Sequence, residues 1–153
     1  MVACPDSDEP PTTTIYAARG HRLRVRQQSL CGSCTKDMHP TVNQIATPFW
    51  AISEYDTALF KVCVALDTAV QIKAGVSETG TKLMRTAFSP NKPLLTIPPR
   101  FGNQQGFMDL FAGVMDAIRN PRAHHDQAQF PHKEALEWLM FLSALFRVLD
   151  ATT

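Results

Sequence analysis

The chain has 153 residues, 44% of them hydrophobic and 19% charged, with 15 Lys and Arg against 14 Asp and Glu for a formal charge of +1. That apolar content excludes wholesale disorder, and the length allows one domain of ordinary size plus an extension. With the charges nearly balanced, no global basic field attracts nucleic acid, so a local cluster must hold any such partner.

The opening residues, Met-Val-Ala-Cys-Pro-Asp-Ser-Asp-Glu-Pro, place acids and prolines where a secretory leader carries basic and then apolar residues. No window approaches the roughly 18 uninterrupted apolar residues of a membrane span. A cytoplasmic protein with no membrane partner is therefore expected. Residues 1–14 lack periodicity and read as disordered. From Arg19 to Arg26, basic and apolar residues alternate at period two, as in a short exposed strand or a basic arm. Such a run is ordinarily solvated, and contact with RNA phosphates is its sharper reading. Cys31 and Cys34 have zinc-like spacing. A closed site needs four ligands, however, and His21 and His39 would complete it at spacings that fit no recognised pattern. Surface thiols and no metal are the default. The composition changes at Met38, which divides the chain into an N-terminal extension (1–37) and a folded domain (38–153).

Within that domain the pattern is helical throughout. A first helix is predicted from about His39 to Ile52, with Val42, Ile45, Ala46 and Phe49 on one face and a kink or early stop at Pro48. Ser53 and Asp56 read as a capping box for a second helix that ends at Gly75. Its apolar stripe is Tyr55, Leu59, Val62, Leu66 and Ala69 or Val70. A short helix follows over about Thr81 to Phe88, then a loop holding prolines 90, 93, 98 and 99. The fourth helix is expected from about Gln104 to Arg119, with Phe107, Leu110, Phe111, Val114 and Ile118 inward. The fifth, His132 to Asp150, is apolar on nearly every side, so it is either enclosed by its own domain or shared with a second subunit. His39 and His132 read as structural residues at helix starts. The architecture expected is an all-α antiparallel bundle of about five helices behind an irregular N-terminal extension.

The segment Ile118-Arg119-Asn120-Pro121-Arg122-Ala123-His124-His125 is the most unusual stretch. Arginine grips a phosphate with paired donors and a permanent charge, and histidine moves protons near neutral pH. Together they form the minimal set for cleaving RNA without a metal: one group deprotonates a ribose 2′-hydroxyl while a cation holds the developing charge. Pro121 disfavours helical geometry at Asn120, so the fourth helix is expected to stop there. A fresh turn is expected to start with Asn120 as N-cap, offering free N–H groups to a phosphate. Read alone, Arg119 is as well explained by closing a helix C-terminus, and His124 by a solvated or structural role.

From about residue 38 to 150 the sequence resembles the Ymh family of the HEPN superfamily. The matching pieces are Met38-His39-Pro40, Tyr55-x-x-Ala58, Ala65 and Gly80-x-x-Leu83-Met84-x-x-Ala87-Phe88. Gly106-x-x-x-Leu110-Phe111-x-Gly113 and Ile118-Arg119-Asn120-Pro121-x-Ala123-His124 complete the set, in the family's order. Four residues separate Arg119 from His124 and five separate it from His125. The Pro-x-Ala-His context selects His124. The resemblance implies a HEPN-type bundle and metal-independent endoribonuclease activity without a cofactor, leaving 2′,3′-cyclic phosphate ends. It further implies a homodimer, RNA as substrate, and a place in toxin–antitoxin or antiviral defence systems with an antitoxin or other defence protein as partner. Arg119 would bind phosphate, Asn120 would orient and His124 would transfer protons. His125 is the spare proton carrier, and Arg122 is either an RNA-backbone contact or a solvated loop residue. Two other readings stand beside this one: a non-catalytic helical module that dimerises or docks on a protein, and a nucleotide-binding regulatory domain.

Overall fold

The computed structural model describes residues 12–16, 22–26, 37–123 and 129–153, the first two stretches as backbone alone. Residues 12–16 and 22–26 are the strands β1 (Thr12–Tyr16) and β2 (Arg22–Arg26), an antiparallel pair with Thr12 opposite Arg26 and Tyr16 opposite Arg22. The alternation read at 19–26 thus falls partly in a strand, and Thr12–Thr14, expected to be disordered, lie in its partner. Cys31, Cys34, Arg19 and His21 lie outside the described residues.

From residue 37 onward the described chain is an all-α bundle. Helix α1 (Pro40–Trp50) starts on Pro40, whose fixed φ suits a first helical position. His39 caps it: its Nδ1 accepts the Thr41 N–H at 3.2 Å, its Nε2 lies 2.9 Å from Asp150 Oδ2, and its ring stacks on Phe146. Pro48 sits inside the helix, which ends two residues later. Helix α2 (Tyr55–Ala74) buries Tyr55, Leu59, Val62, Leu66 and Val70 as its spacing predicts. It stops at Gly75, which takes the left-handed conformation at φ 69°. The capping box does not form. Ser53 is left-handed (φ 62°) and turns the chain between the two helices, while Glu54 is the N-cap residue. Asp56 is engaged elsewhere, as described below.

Helix α3 (Gly80–Ala87) buries Leu83, Met84 and Ala87. The proline-bearing loop after it is shaped by one side chain, Gln104. Its amide donates to the carbonyls of Phe88 (3.1 Å) and Leu95 (2.9 Å) and accepts the Ile97 N–H (2.9 Å). Helix α4 (Gln104–Val114) is capped by Asn103, whose side chain accepts the Gly106 N–H at 2.7 Å. It buries Met108, Phe111, Ala112 and Val114. Leu110, expected inward, is exposed, because the buried face follows Met108–Phe111–Ala112–Met115 and leaves Leu110 on the other side.

Helix α4 continues into a π-helical turn (Met115–Arg119) and a last α-turn, α5 (Asn120–Ala123). Helix α6 (His132–Ala151) buries Ala135, Leu139, Leu142, Leu145, Phe146, Val148 and Leu149 within the bundle. Leu136, Trp138 and Phe141 pack at the core's edge, and Met140 is exposed. Consecutive long helices are antiparallel, as expected. Helix α2 and helix α6 run the same way, since Asp56 reaches Phe130 at one end and Lys73 reaches the Leu149 carbonyl at the other. No described helix is long and apolar enough to cross a membrane.

Candidate active site

Three elements meet around the end of the 104–123 helical run: α2, the start of α3, and the run itself. The π-turn is the local departure that matters. The Asn120 N–H bonds to the Met115 carbonyl, five residues back, and Asn120 keeps helical angles (φ −65°, ψ −47°). The helix is therefore continuous through Ile118–Ala123, and the fresh turn with Asn120 as N-cap does not exist. The reason lies in how a helix accepts proline: the ring presses on the preceding turn and removes one donor. A widened i→i+5 turn just ahead of Pro121 relieves that pressure without ending the helix. Packing on α2 then overrides the preference of a pre-proline residue for extended backbone.

Arg119 and Asn120, singled out by the sequence, touch each other. Arg119 Nη1 donates to Asn120 Oδ1 at 3.3 Å. Both residues are half-buried, and Arg119 Nε is enclosed without a hydrogen-bond partner. Toward α3, Arg119 Nη1 lies 3.9 Å from where a Cβ on Gly80 would stand. Gly80 has φ 63°, and its N–H donates to the buried Asp67 carboxylate at 2.7 Å. Toward α2 lies Cys63, whose thiol burial pushes up to about 12 against the downward pull of Arg122 and Arg119. Arg119 thus lies beside the Asn120 amide and a backbone turn at Gly80 that an acid holds.

Arg122 corrects the expectation of a solvated loop residue. It lies in a helix with its side chain 5% exposed, 3.5 Å from Asp56 Oδ1. Its Nη1 donates to the Ile118 carbonyl at 3.0 Å, and its guanidinium lies 4.0 Å over the Phe130 ring. Burial, an acid and a ring account for this arginine inside the fold. A cavity of about 330 Å³ opens beside it, lined among others by Glu54, Thr57, Phe60, Lys61 and Pro121.

His124 and His125 lie outside the described residues; the described chain ends at Ala123, directly before them, and resumes at Gln129. His132 is structural, as read. Its Nε2 accepts the Trp50 indole N–H at 3.2 Å, and its ring packs edgewise on Trp50 and Tyr55. Among the described residues, no group of three or more His, Cys, Asp and Glu could hold a metal ion.

Sequence reasoning missed Asp56, Cys63, Asp67 and Gly80 as neighbours of the two arginines. One signal was available. Asp67 stands three residues before Val70 and four after Cys63, on a face that the period of α2 marks as apolar. An acid there must have a partner. Asp56 gave no such signal, since it also suited a helix start.

No curated protein and no solved structure matches this chain. Residues 36–149 match the family described as protein of unknown function (Hypoth_ymh). That span runs from just before α1 to the last turn of α6, and the chain belongs to the Ymh family.

Proposed function

We propose that this protein is a metal-independent endoribonuclease of HEPN type, acting through Arg119, Asn120 and His124. The observation that carries the reading is the Arg119–Asn120 contact at the end of a π-turn, with Arg119 Nε enclosed and unpartnered. Single π-turns inside α-helices recur at functional sites, and an enclosed guanidinium donor without an internal acceptor suits an anionic ligand.

In the reaction, the His124 imidazole takes the proton of a ribose 2′-hydroxyl. The freed oxygen attacks the adjacent phosphorus, and Arg119 stabilises the charge gathering on the phosphoryl oxygens. The bond from phosphorus to the 5′-oxygen breaks, and that oxygen takes a proton from a second acid, for which His125 is the nearest spare. The products are a 2′,3′-cyclic phosphate and a 5′-hydroxyl. Asn120 holds the guanidinium in place through its side-chain oxygen. The protein acts as a homodimer, as a growth-arresting toxin or defence effector held in check by a partner protein.

Purified protein is expected to cleave RNA in excess EDTA and to leave cyclic phosphate ends. His124→Ala and Arg119→Ala should each lower the cleavage rate by about 10²- to 10⁴-fold with the fold intact by circular dichroism. A wild-type protein that cuts only with added divalent metal, or not at all, sinks the proposal and favours a non-catalytic helical module.

A further inference from the structure

The register of β1 and β2 sorts the residues of the ribbon they form into two rows. Neighbours along a strand alternate faces, and residues directly opposite each other share one. Thr12, Thr14 and Tyr16 are therefore placed on one face with Arg26, Arg24 and Arg22. Thr13 and Ile15 are placed on the other with Val25 and Leu23. The first face carries three arginines, each opposite a hydroxyl residue, and the second is apolar apart from Thr13. Neither strand contains an acid, so no carboxylate of the ribbon offsets the repulsion within that row of cations. An isolated two-stranded ribbon is marginal in water. Covering the apolar row stabilises it, whereas burying the arginine row would strand three charges.

We propose that the arginine row of this ribbon is a binding surface for the sugar–phosphate backbone of single-stranded RNA. Positions two apart in a strand are separated by about 6.7 Å. That step is close to the one between successive phosphates of an extended nucleic-acid strand. Three guanidinium groups at this spacing match three consecutive phosphates, with paired donors for each. The hydroxyl residues of the facing strand add neutral donors for phosphate and sugar oxygens. Tyr16, at one end of the face, adds an aromatic ring of the kind on which an unpaired base stacks. An anionic lipid surface fits less well, because the cations and the apolar residues that would enter it are placed on opposite faces. The ribbon lies outside residues 36–149, the span that matches the Ymh family, so the ribonuclease reading of the bundle does not imply it. The choice of RNA rather than DNA rests on that reading.

The probe is a 2′-O-methyl oligouridylate, which lacks the attacking hydroxyl, so binding to the full chain is read without cleavage. Its affinity is measured by fluorescence anisotropy across a salt series. Each phosphate contact on a single strand contributes about −0.7 to the slope of log K against log salt. The triple variant Arg22→Gln, Arg24→Gln, Arg26→Gln should therefore flatten that slope by about 2 and weaken binding at least tenfold at low salt. The triple lysine variant keeps the charges and should keep the slope. Arg24→Val combined with Val25→Arg preserves composition but moves one cation to the apolar face, and it should weaken binding as much as Arg24→Gln alone. Tyr16→Leu should weaken binding severalfold with the slope unchanged, since stacking is not ionic.

Equal affinity and slope in the wild type and the triple glutamine variant would overturn the proposal. Wild-type binding by the exchange variant would overturn it too, since net charge without placement would then explain the affinity. Loss of binding to phosphatidylserine vesicles but not to the RNA probe in the triple glutamine variant would reassign the surface to a membrane. Unchanged affinity in Tyr16→Leu would remove the base contact and, with it, the single strand as ligand. If wild-type protein binds the probe but cuts no unmodified RNA, the ribonuclease reading falls and RNA binding by the ribbon stands.

Discussion

His132 sits where the rings of Trp50 and Tyr55 meet, and its environment fixes its protonation. Burial, with Lys133 adding to it, holds its pKa below the usual 6.5. The neutral ring is also what the structure uses, because Nε2 must be unprotonated to accept the Trp50 N–H. A histidine that is harder to protonate when folded contributes stability that is complete above the unfolded value. That stability declines as pH falls below about 6.5 toward the folded value, because protons then favour the unfolded chain. Thermal melts from pH 7.5 to pH 5 should show the wild type losing stability over that window. His132→Gln, which keeps an acceptor but does not titrate, should lose less. An equal loss in both proteins would remove His132 as the cause. At this scale the sequence was informative where chemistry is local: a histidine before a helix is a cap or a packing residue, and both His39 and His132 are. It was uninformative for Arg122 and Asp56. Their meaning comes from a pairing across more than sixty positions, and nothing in either neighbourhood encodes that.

Helix endings were legible because backbone stereochemistry governs them. Gly75 closes α2 at φ 69°, and a Cβ there would meet no atom within 4 Å. The cost of Gly75→Ala is therefore confined to the left-handed backbone, about 1 kcal/mol, with Gly75→Asn costing less. Urea denaturation of the two variants checks both size and order. The stripe of α2 was equally clear, since five of its apolar positions recur at helical spacing and are buried. The helix through Asn120 was not. Proline and the residue before it argue for a break, and only contact with α2 and the π-turn reverses that argument. The site inherits this difference: Arg119 and Asn120 were visible as residue types in an unusual run, but their mutual contact depends on a turn that local preference disfavours.

The bundle as a whole rests on α2, which packs against α1, α6 and the 104–123 run and contributes the fully buried Leu59, Val62 and Leu66. Shortening a side chain there leaves a void that surrounding helices cannot close, so Leu66→Ala should cost about 3 kcal/mol in denaturant unfolding. A loss under 1 kcal/mol would mean that the core collapses more freely than its close packing suggests. The all-α architecture was readable from Met38 onward because helical periodicity recurs in every long segment. The loop before α4 was readable only as a loop, because its shape is dictated by Gln104, whose three bonds reach back as far as sixteen positions.

The π-turn also sets the phase of everything beyond it. It holds about one residue more than an α-helical turn, and each α-helical residue advances about 100° around the axis. Arg119 and Asn120 are thus turned back by nearly that angle from the heading that Met108, Phe111 and Ala112 establish. Viewed this way, Met115–Arg119 behaves as a one-residue insertion retained in an otherwise regular helix. Excising a single residue from it would leave the upstream packing in register and rotate the arginine away from Cys63 and Gly80.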